Sequence, residues 1–340
     1  MSSVNNKVVL KHALKGLPKA HDFEVKAEPL PEPVDGMFRI RHLYIALDPW
    51  QRSAMAGRHA TDSKPYGTGD TPPAEIIGIV EDSHHESFAN GDYVRAMGGW
   101  QEFSLSNGDG AKLIKPDLAH TDAVPISTHL GVLGMPGLTA WASIVRLADV
   151  QPGQTVLVSA AHGPVGSMVG QIAIKKGATA VGIAGSDEKC QMVTEKLGFS
   201  ACVNYKASGY PESLRKALPN GADIYHDNVG GQMLIDAINV MNEYGTVVLC
   251  GLISQYNDPA LAVDLPLALP IMKRLTMKGL VVYDHADAED EFVSTVAPWI
   301  NDGSIRYLED IAVGLDSAGA QFAKLMRGDN IGKTLIKLNP

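Results

Sequence analysis

Apolar and polar positions change rhythm partway along the chain. From Thr155 onward, short apolar runs alternate with longer amphipathic stretches. Thr155-Val156-Leu157-Val158-Ser159-Ala160 is apolar and rich in β-branched residues, the pattern of a buried strand. A helix over Ser167 to Ala173 follows, then a second strand over Thr179 to Ala184. The rhythm continues with strands at Cys202-Val203-Asn204-Tyr205, Ala222 to His226, Thr246 to Cys250 and Thr276 to Val282. Between and after them the pattern predicts helices over Pro211 to Leu218, Gln232 to Met241 and Glu289 to Ile300. Alternation at this spacing predicts a parallel, doubly wound α/β sheet with helices on both faces.

Residues 4 to about 125 are patterned differently. Val8-Val9-Leu10, Phe38 to Ile45, Ile76 to Val80 and Tyr93 to Met97 are short apolar or alternating runs. Turns rich in Pro, Gly and Asp separate them, such as Pro29 to Gly36 and Ser63 to Pro73. This spacing predicts a compact, partly open β-barrel. Asp48-Pro49-Trp50-Gln51-Arg52 begins a short helix after a strand, and Met135 to Trp141 leads by a helix into the α/β region. The last stretch, Ile305 to Leu338, has two apolar runs that return to the barrel. The expected division is a β-rich domain, 1–125 with 305–340, and an inserted α/β domain, 126–304.

Ligands of a doubly wound sheet sit beyond the carboxyl ends of its strands. The loop after the first strand, Ala161-His162-Gly163-Pro164-Val165-Gly166, lies in the strand–turn–helix–strand frame that makes a glycine pattern a dinucleotide site. Gly163 lets backbone approach a pyrophosphate, and Gly166 lets the helix pack close to the sheet. The helix N-terminus offers N–H groups and the positive end of its dipole. Ala161 replaces the first glycine of the fingerprint, so the motif is degenerate. The second strand ends at Gly185-Ser186, where an NAD site places an acid for the ribose 2′-OH. Small residues leave room for a 2′-phosphate, and Lys189 can supply its counter-charge. The expected cofactor is therefore NADPH. Asp187 and Glu188 leave a mixed preference open, though acids in a first turn also serve the helix dipole.

Composition narrows the function classes. The chain has 340 residues, with 29 basic and 38 acidic side chains giving a net charge of −9. That balance, with no basic stripe, argues against nucleic acid or an anionic membrane as partner. Three cysteines, Cys190, Cys202 and Cys250, form neither a disulfide framework nor a metal-spaced pair. No signal-peptide core and no run of membrane-spanning length is present, so the expected location is the cytoplasm.

The run Ala160 to Ala173 resembles the cofactor turn of the zinc-independent medium-chain dehydrogenases/reductases. Within them it is similar to the leukotriene B4 dehydrogenase and prostaglandin reductase group, with its plant alkenal double-bond reductases and bacterial curcumin reductase. Asp48-Pro49 with Arg52, Met135 to Ala140, Gly185-Ser186 with Lys189, Asn204-Tyr205-Lys206, Asp227 to Gly231, Gly251 to Asn257 and Asn330 to Lys333 agree in order, so the likeness spans nearly the whole chain. It implies a Rossmann domain inserted in a chaperonin-10-like barrel, NADPH, reduction of the C=C bond of α,β-unsaturated ketones or aldehydes, and a homodimer. By matched position it implies that Lys189 and Tyr205 hold the 2′-phosphate. Thr139, Asn228, Cys250, Ser254 and Asn330 line the rest of the cofactor site, and Leu280 and Val282 flank the nicotinamide. Trp50 replaces the group's tyrosine, Thr71-Pro72-Pro73-Ala74-Glu75 replaces a glycine-rich stretch, and His162 stands where a small residue is common. The first two border the expected substrate pocket.

The chemistry expected is metal-free. No cysteine precedes Cys190, so the barrel offers no thiolate ligand of the kind zinc enzymes use. His84-His85-Glu86 reads as a solvated turn rather than a metal cluster. Enone reduction needs hydride at the β-carbon and a donor for the developing enolate oxygen. Tyr256, in a loop after a sheet strand, is the candidate. A phenol titrates near ~10 and stays protonated. Packing against the cofactor is its alternative role. Trp50, Arg52, Tyr66 and Tyr283 are candidate pocket walls, with local packing or an ion pair as the alternative. A redox-sensing NADPH-binding protein without turnover and an NADP-dependent alcohol dehydrogenase are the competing functions.

Overall fold

A computed structural model describes residues 4–59, 64–114, 120–121 and 124–339. Ser63, the head of one expected turn, lies outside them. The chain divides into two compact units, Met1–Leu130 with Glu309–Pro340, and Gly131–Leu308.

The first unit opens with a two-stranded ribbon, β1 (Val4–Leu10) paired antiparallel to β2 (Phe23–Pro29). Next come β3 (Phe38–Leu47), helix α1 (Trp50–Met55), β4 (Glu75–Ser83), β5 (Tyr93–Met97) and β6 (Phe103–Ser106). Three two-residue strands follow: β7 (Lys112–Leu113), β8 (His120–Thr121) and β9 (Val124–Pro125). Strand β3 is the organising element. It pairs with β4 over Phe38–Ile45 and with β6 over Phe38–Arg41. The ribbon strand β2 and strand β6 were not expected from the sequence. β2 is exposed along most of its length, so it carries no apolar alternation to reveal it.

The second unit contains α2 (Met135–Trp141), which continues without a break into a π-helical stretch, Ala142–Leu147. Then β10 (Thr155–Val158), α3 (Pro164–Lys175), β11 (Thr179–Ala184), α4 (Asp187–Leu197), β12 (Ala201–Asn204), α5 (Tyr210–Ala217) and β13 (Ala222–Asp227) alternate. They are followed by α6 (Gly231–Val240), β14 (Met241–Leu249), α7 (Ala268–Lys273), β15 (Thr276–Gly279) and α8 (Glu289–Asn301). The strands form one six-stranded sheet in the order β12-β11-β10-β13-β14-β15, parallel throughout. The order runs outward on both sides of β10 and β13, the doubly wound arrangement. Leu157, Val181, Ile183, Tyr225, Ala237, Ile238 and Val247 are buried in its core. Strand β15 is shorter than the expected Thr276–Val282 run. Among the described residues its one ladder partner is β14, which ends at Leu249 opposite Gly279, so the pairing stops there.

The final segment supplies β16 (Glu309–Val313), α9 (Ala318–Arg327) and β17 (Lys333–Lys337) to the first unit. β17 pairs antiparallel with Tyr44–Leu47 of β3 and parallel with β16. Trp100 packs its ring 5.2 Å from both Phe23 and Phe322. At the junction of β3 and α1, Asp48 forms a buried ion pair with Lys333, side chains 6% and 3% exposed. Such a pair holds only while both charges are present.

Candidate cofactor and active site

The glycine turn is built from the end of β10. Ala160 sits in the left-handed region at φ +49°, and its carbonyl accepts from Gly163 N–H at 2.9 Å. For an L-residue that conformation costs about 1–2 kcal/mol, so surrounding contacts must hold it. A Cβ on Gly166 would lie 2.5 Å from the Ala160 carbonyl oxygen and 3.0 Å from its carbon. Only glycine lets the helix start this close to the strand. Pro164 at the first helical position has no N–H to leave unpaired, and the N–H groups of Val165 and Gly166 lie in the first turn, where a helix gives them no carbonyl. Together with the dipole they suit an anion.

Ala161, the next residue of the turn, packs inward. It is fully buried, and its N–H donates to Ile183 O at 3.0 Å. A Cβ at Gly182 would come within 2.8 Å of its methyl. Ala161 therefore packs between β10 and β11, and its amide is committed to the sheet.

The end of β11 brings several expected residues together. A Cβ on Gly185 would stand 3.2 Å from the ring of Tyr205, which is half exposed and lies just past β12. Lys206 Nζ lies over that ring, 5.7 Å from its centroid. Ser186 caps α4 by accepting from Lys189 N–H at 3.2 Å. Lys189, only 7% exposed, reaches His162 with Nζ 3.1 Å from Nε2. Burial and the Lys189 charge lower the His162 pKa to about 3, so the imidazole is neutral. The acid nearest in sequence, Asp187, accepts from Asn204 Nδ2 at 2.8 Å. The site thus gathers two lysines, a tyrosine and a glycine gap, with the Asp187 carboxylate hydrogen-bonded to Asn204. That set fits a 2′-phosphate, and the gap at Gly185 leaves space a side chain would fill.

The nicotinamide end is expected at the loops after β13 and β14, and a hydrogen-bond lattice shapes both. Asp227 is fully buried and accepts from Tyr225 Oη at 2.8 Å, Ser159 Oγ at 3.1 Å, Val229 N–H at 3.0 Å and Gly230 N–H at 3.1 Å. Burial raises its pKa while these donors pull it back. The carboxyl pins the Asn228–Gly231 turn, whose Gly230 has φ +70°. Its backbone oxygen also accepts from Cys250 N–H at 2.8 Å and Gly251 N–H at 3.1 Å. Ser254 donates its hydroxyl to Val229 O at 2.6 Å, tying the second loop to the first.

Asn228 is fixed by a wire that starts in the π-helical stretch. Ser143 Oγ lies 2.7 Å from His226 Nδ1, and His226 Nε2 lies 3.1 Å from Asn228 Oδ1. Asn228 Nδ2 donates to Ser159 O at 2.8 Å, so its Oδ1 faces the imidazole. An amide oxygen only accepts, hence Nε2 carries the proton and Nδ1 accepts from Ser143. Full burial, lowering the His226 pKa to about 4, keeps the ring neutral. His226, Ser143 and Ser159 were not singled out from sequence, and Asp227 only as the head of the Asp227–Gly231 motif. The available signal was a polar triplet, Tyr225-His226-Asp227, at the end of the strand.

Tyr256 accepts from Leu252 N–H at 3.3 Å, and its Oη would lie 3.3 Å from a Cβ on Gly251. Burial raises its pKa, so the phenol keeps its proton and can donate. Cys250 is similarly pushed up, to about 12, by burial. The thiol stays protonated. Leu280 is buried and donates its N–H to Leu249 O at 2.9 Å, while Val282 opens a 3-10 stretch and Tyr283 is 52% exposed. Thr139 in α2 is buried and donates its hydroxyl to Met135 O at 2.7 Å, leaving its lone pairs for a ligand.

The remaining expected residues belong to the first unit. Asn330 is buried and donates to Gly332 O at 3.0 Å. Trp50 lies at the start of α1 with its ring 5.0 Å from His59. Arg52 is 2% exposed, with Nε and Nη2 donating to Gly16 O at 3.3 and 3.2 Å. That is a loop anchor. Tyr66 is half-buried, its N–H bonded to Met55 O. Among the described residues, no group of three or more His, Cys, Asp or Glu is placed to hold a metal.

Comparison with known proteins places this geometry. The family model described as N-terminal domain of oxidoreductase matches residues 6–114, and that described as zinc-binding dehydrogenase matches residues 164–298. NADPH-dependent curcumin reductase of Escherichia coli is 35% identical, over 98% of this chain and 97% of its own length. Prostaglandin reductase 1 of Bos taurus is 39% identical over 96% and 97%, and the NADP(+)-dependent 2-alkenal reductase of Nicotiana tabacum 36% over 98% and 98%. The crystal structure of CurA from Vibrio vulnificus in complex with NADPH superposes with a TM-score of 0.91 at 35% identity, covering 98% of this chain and 99% of that one. The chain belongs to the medium-chain dehydrogenase/reductase family, in the group that holds the curcumin, prostaglandin and 2-alkenal reductases.

Proposed function

We propose that this chain reduces the C=C bond of α,β-unsaturated ketones and aldehydes with NADPH, by hydride transfer to the β-carbon and without a metal. The observation that carries the reading is near full-length identity of 33–36% to reductases named for curcumin, 2-alkenals and pulegone. These substrates share a C=C conjugated to a carbonyl.

The residues present fit the cofactor. Lys189, Tyr205 and the gap at Gly185 would take the 2′-phosphate. Gly163, Val165 and Gly166 would take the pyrophosphate at the start of α3. Asn228, Cys250, Ser254, Leu280 and Val282 would border the nicotinamide end, with Thr139 and Asn330 as further cofactor contacts. NADPH, when bound, supplies the hydride.

The protein's part is orientation and charge stabilisation. Asp227 and His226 hold the two loops and the Asn228 amide in one arrangement before any ligand arrives, so no ordering cost falls on the reaction. Hydride addition at the β-carbon moves negative charge to the carbonyl oxygen. A neutral donor aimed there is stronger toward the enolate than toward the ground-state carbonyl, which lowers the barrier. Tyr256 is that donor in this reading, its proton retained because burial raises the phenol's pKa. Trp50, Tyr66 and Tyr283 are proposed pocket walls. Arg52, bonded to Gly16 O, is proposed as a further pocket residue.

A homodimer and a cytoplasmic location complete the reading. β15 is a sheet edge, and the segment before it exposes Leu267, Ile271 and Met272 at 69–71%, apolar area suited to a second copy. The three cysteines are unpaired thiols, as a reducing compartment favours.

NADPH oxidation with conjugated enones and enals, their saturated counterparts and the matching alcohols, each with and without a chelator, tests this. Turnover confined to the conjugated set and indifferent to chelator is expected. Oxidation of alcohols with NADP+ would favour the dehydrogenase reading. Tight NADPH binding with no turnover on any conjugated compound would favour the sensor.

A further inference from the structure

The contact between His162 and Lys189 joins two elements 27 positions apart, the turn after β10 and the first turn of α4. A lysine ammonium only donates, so His162 Nε2 is the acceptor and the ring proton sits on Nδ1. Nδ1 is buried and without a hydrogen-bond partner, an arrangement that costs free energy and that packing alone would not select. The imidazole remains neutral through the physiological range, its pKa lowered to about 3 by burial and by Lys189.

We propose that His162 is a positioning residue for 2′-phosphate recognition: its Nε2 holds the Lys189 ammonium in place for a phosphomonoester without cancelling its charge. The chemistry separates histidine from the alternatives. A carboxylate here would fix the lysine equally well but would neutralise it and repel a phosphate. A small apolar residue would leave the charge but remove this hold on it, and a lysine side chain carries rotamer entropy that binding must otherwise offset. A neutral acceptor removes that ordering cost and keeps the full cation. Ser186, which caps the helix carrying Lys189, and Gly185, whose nearest neighbours are Tyr205 and Lys206, stand at the same end of β11, the end where a 2′-phosphate is expected. The consequence is selective. Ligands with a 2′-phosphate gain from His162, and ligands with a 2′-hydroxyl do not.

The inference rests on the NADPH reading of this site, and two probes separate their failures. Adenosine 2′,5′-bisphosphate and 5′-AMP are titrated calorimetrically against the full chain and its variants. In Lys189→Ala the bisphosphate binds far more weakly and 5′-AMP is unchanged. In His162→Ala the bisphosphate loses about tenfold in affinity, the scale of one charge-assisted hydrogen bond, while 5′-AMP again is unchanged. His162→Gln, which keeps an acceptor oxygen, restores most of the loss. The double variant binds no worse than Lys189→Ala, because the histidine acts through the lysine. Should the alanine variant fail to fold, His162→Leu fills the space without an acceptor and carries the same test. Unchanged bisphosphate affinity in His162→Ala alongside a loss in Lys189→Ala overturns the inference and spares the site. Equal losses for both probes reduce His162 to a structural residue and overturn it too. No loss in Lys189→Ala removes the phosphate site and the inference together.

Discussion

Replacing His226 by leucine removes one ring that does two jobs. The imidazole is fully buried, accepts from Ser143 and donates to Asn228. Leucine is close in volume, so the core stays filled while two polar groups lose their partner. Each buried unpaired group costs about 1–3 kcal/mol, and the variant is expected to lose about 3 kcal/mol of stability at pH 7.5. The loss depends on pH with a definite sign. Native His226 refuses its proton down to about pH 4, whereas the unfolded residue accepts one below 6.5. The unfolded state therefore binds more protons in that window, and wild-type stability falls as pH drops through it, by about 1.4 kcal/mol at pH 5.5 from this residue. Leucine has no such term. The gap between the two proteins should narrow by about that amount between pH 7.5 and 5.5, measured by urea unfolding. Under folding conditions NADPH affinity should also fall, by about tenfold, because the Asn228 amide is no longer locked in one orientation. NADPH binding equal to wild type in a folded variant would refute the claim that this wire sets the cofactor loop.

Three further outcomes are expected. Gly166→Ala places a methyl 2.5 Å from the Ala160 carbonyl oxygen. It should displace the start of α3 and weaken NADPH by about tenfold or more with the circular dichroism spectrum kept, and wild-type affinity would contradict the close-approach account. Tyr256→Phe should lower kcat by about a hundredfold, the scale of one oxyanion donor, and spare NADPH affinity; unchanged kcat returns Tyr256 to packing. Lys333→Met leaves the Asp48 carboxylate buried alone and should cost about 3–5 kcal/mol in chemical denaturation, part of which Asp48→Asn recovers in the double variant.

The sheet was legible because its signals are local. The Thr179–Ala184 and Tyr93–Met97 strands stand where their apolar runs predict, and the glycine turn announces itself between a β-branched run and a helix. Ligand-facing loops then follow from topology alone. What stayed hidden depends on contacts distant in sequence. Ser143 and His226 meet across 83 positions, and nothing local to Ala142–Leu147 signals a π-helical stretch that turns Ser143 toward the sheet. His162 reads in sequence as an oddity of the turn, and only the fold reveals Lys189 beside it. Ala161 stands at the first glycine of the fingerprint, and only the fold shows its buried methyl and its amide bonded to Ile183 O. Arg52 is a candidate pocket wall in sequence, and only the fold shows two of its nitrogens bonded to Gly16 O. The Thr276–Val282 run overshoots because a strand lasts only as long as its partner.

The central claim concerns where the hydride goes, and isotope placement tests it directly. NADPH carrying deuterium at both C4 positions of the nicotinamide would be given to the chain with a conjugated enone, and the product examined by NMR and mass spectrometry. One deuterium at the β-carbon of a saturated ketone, with the carbonyl intact, is the predicted result. Deuterium on the former carbonyl carbon of an allylic alcohol would contradict it and make the chain a carbonyl reductase.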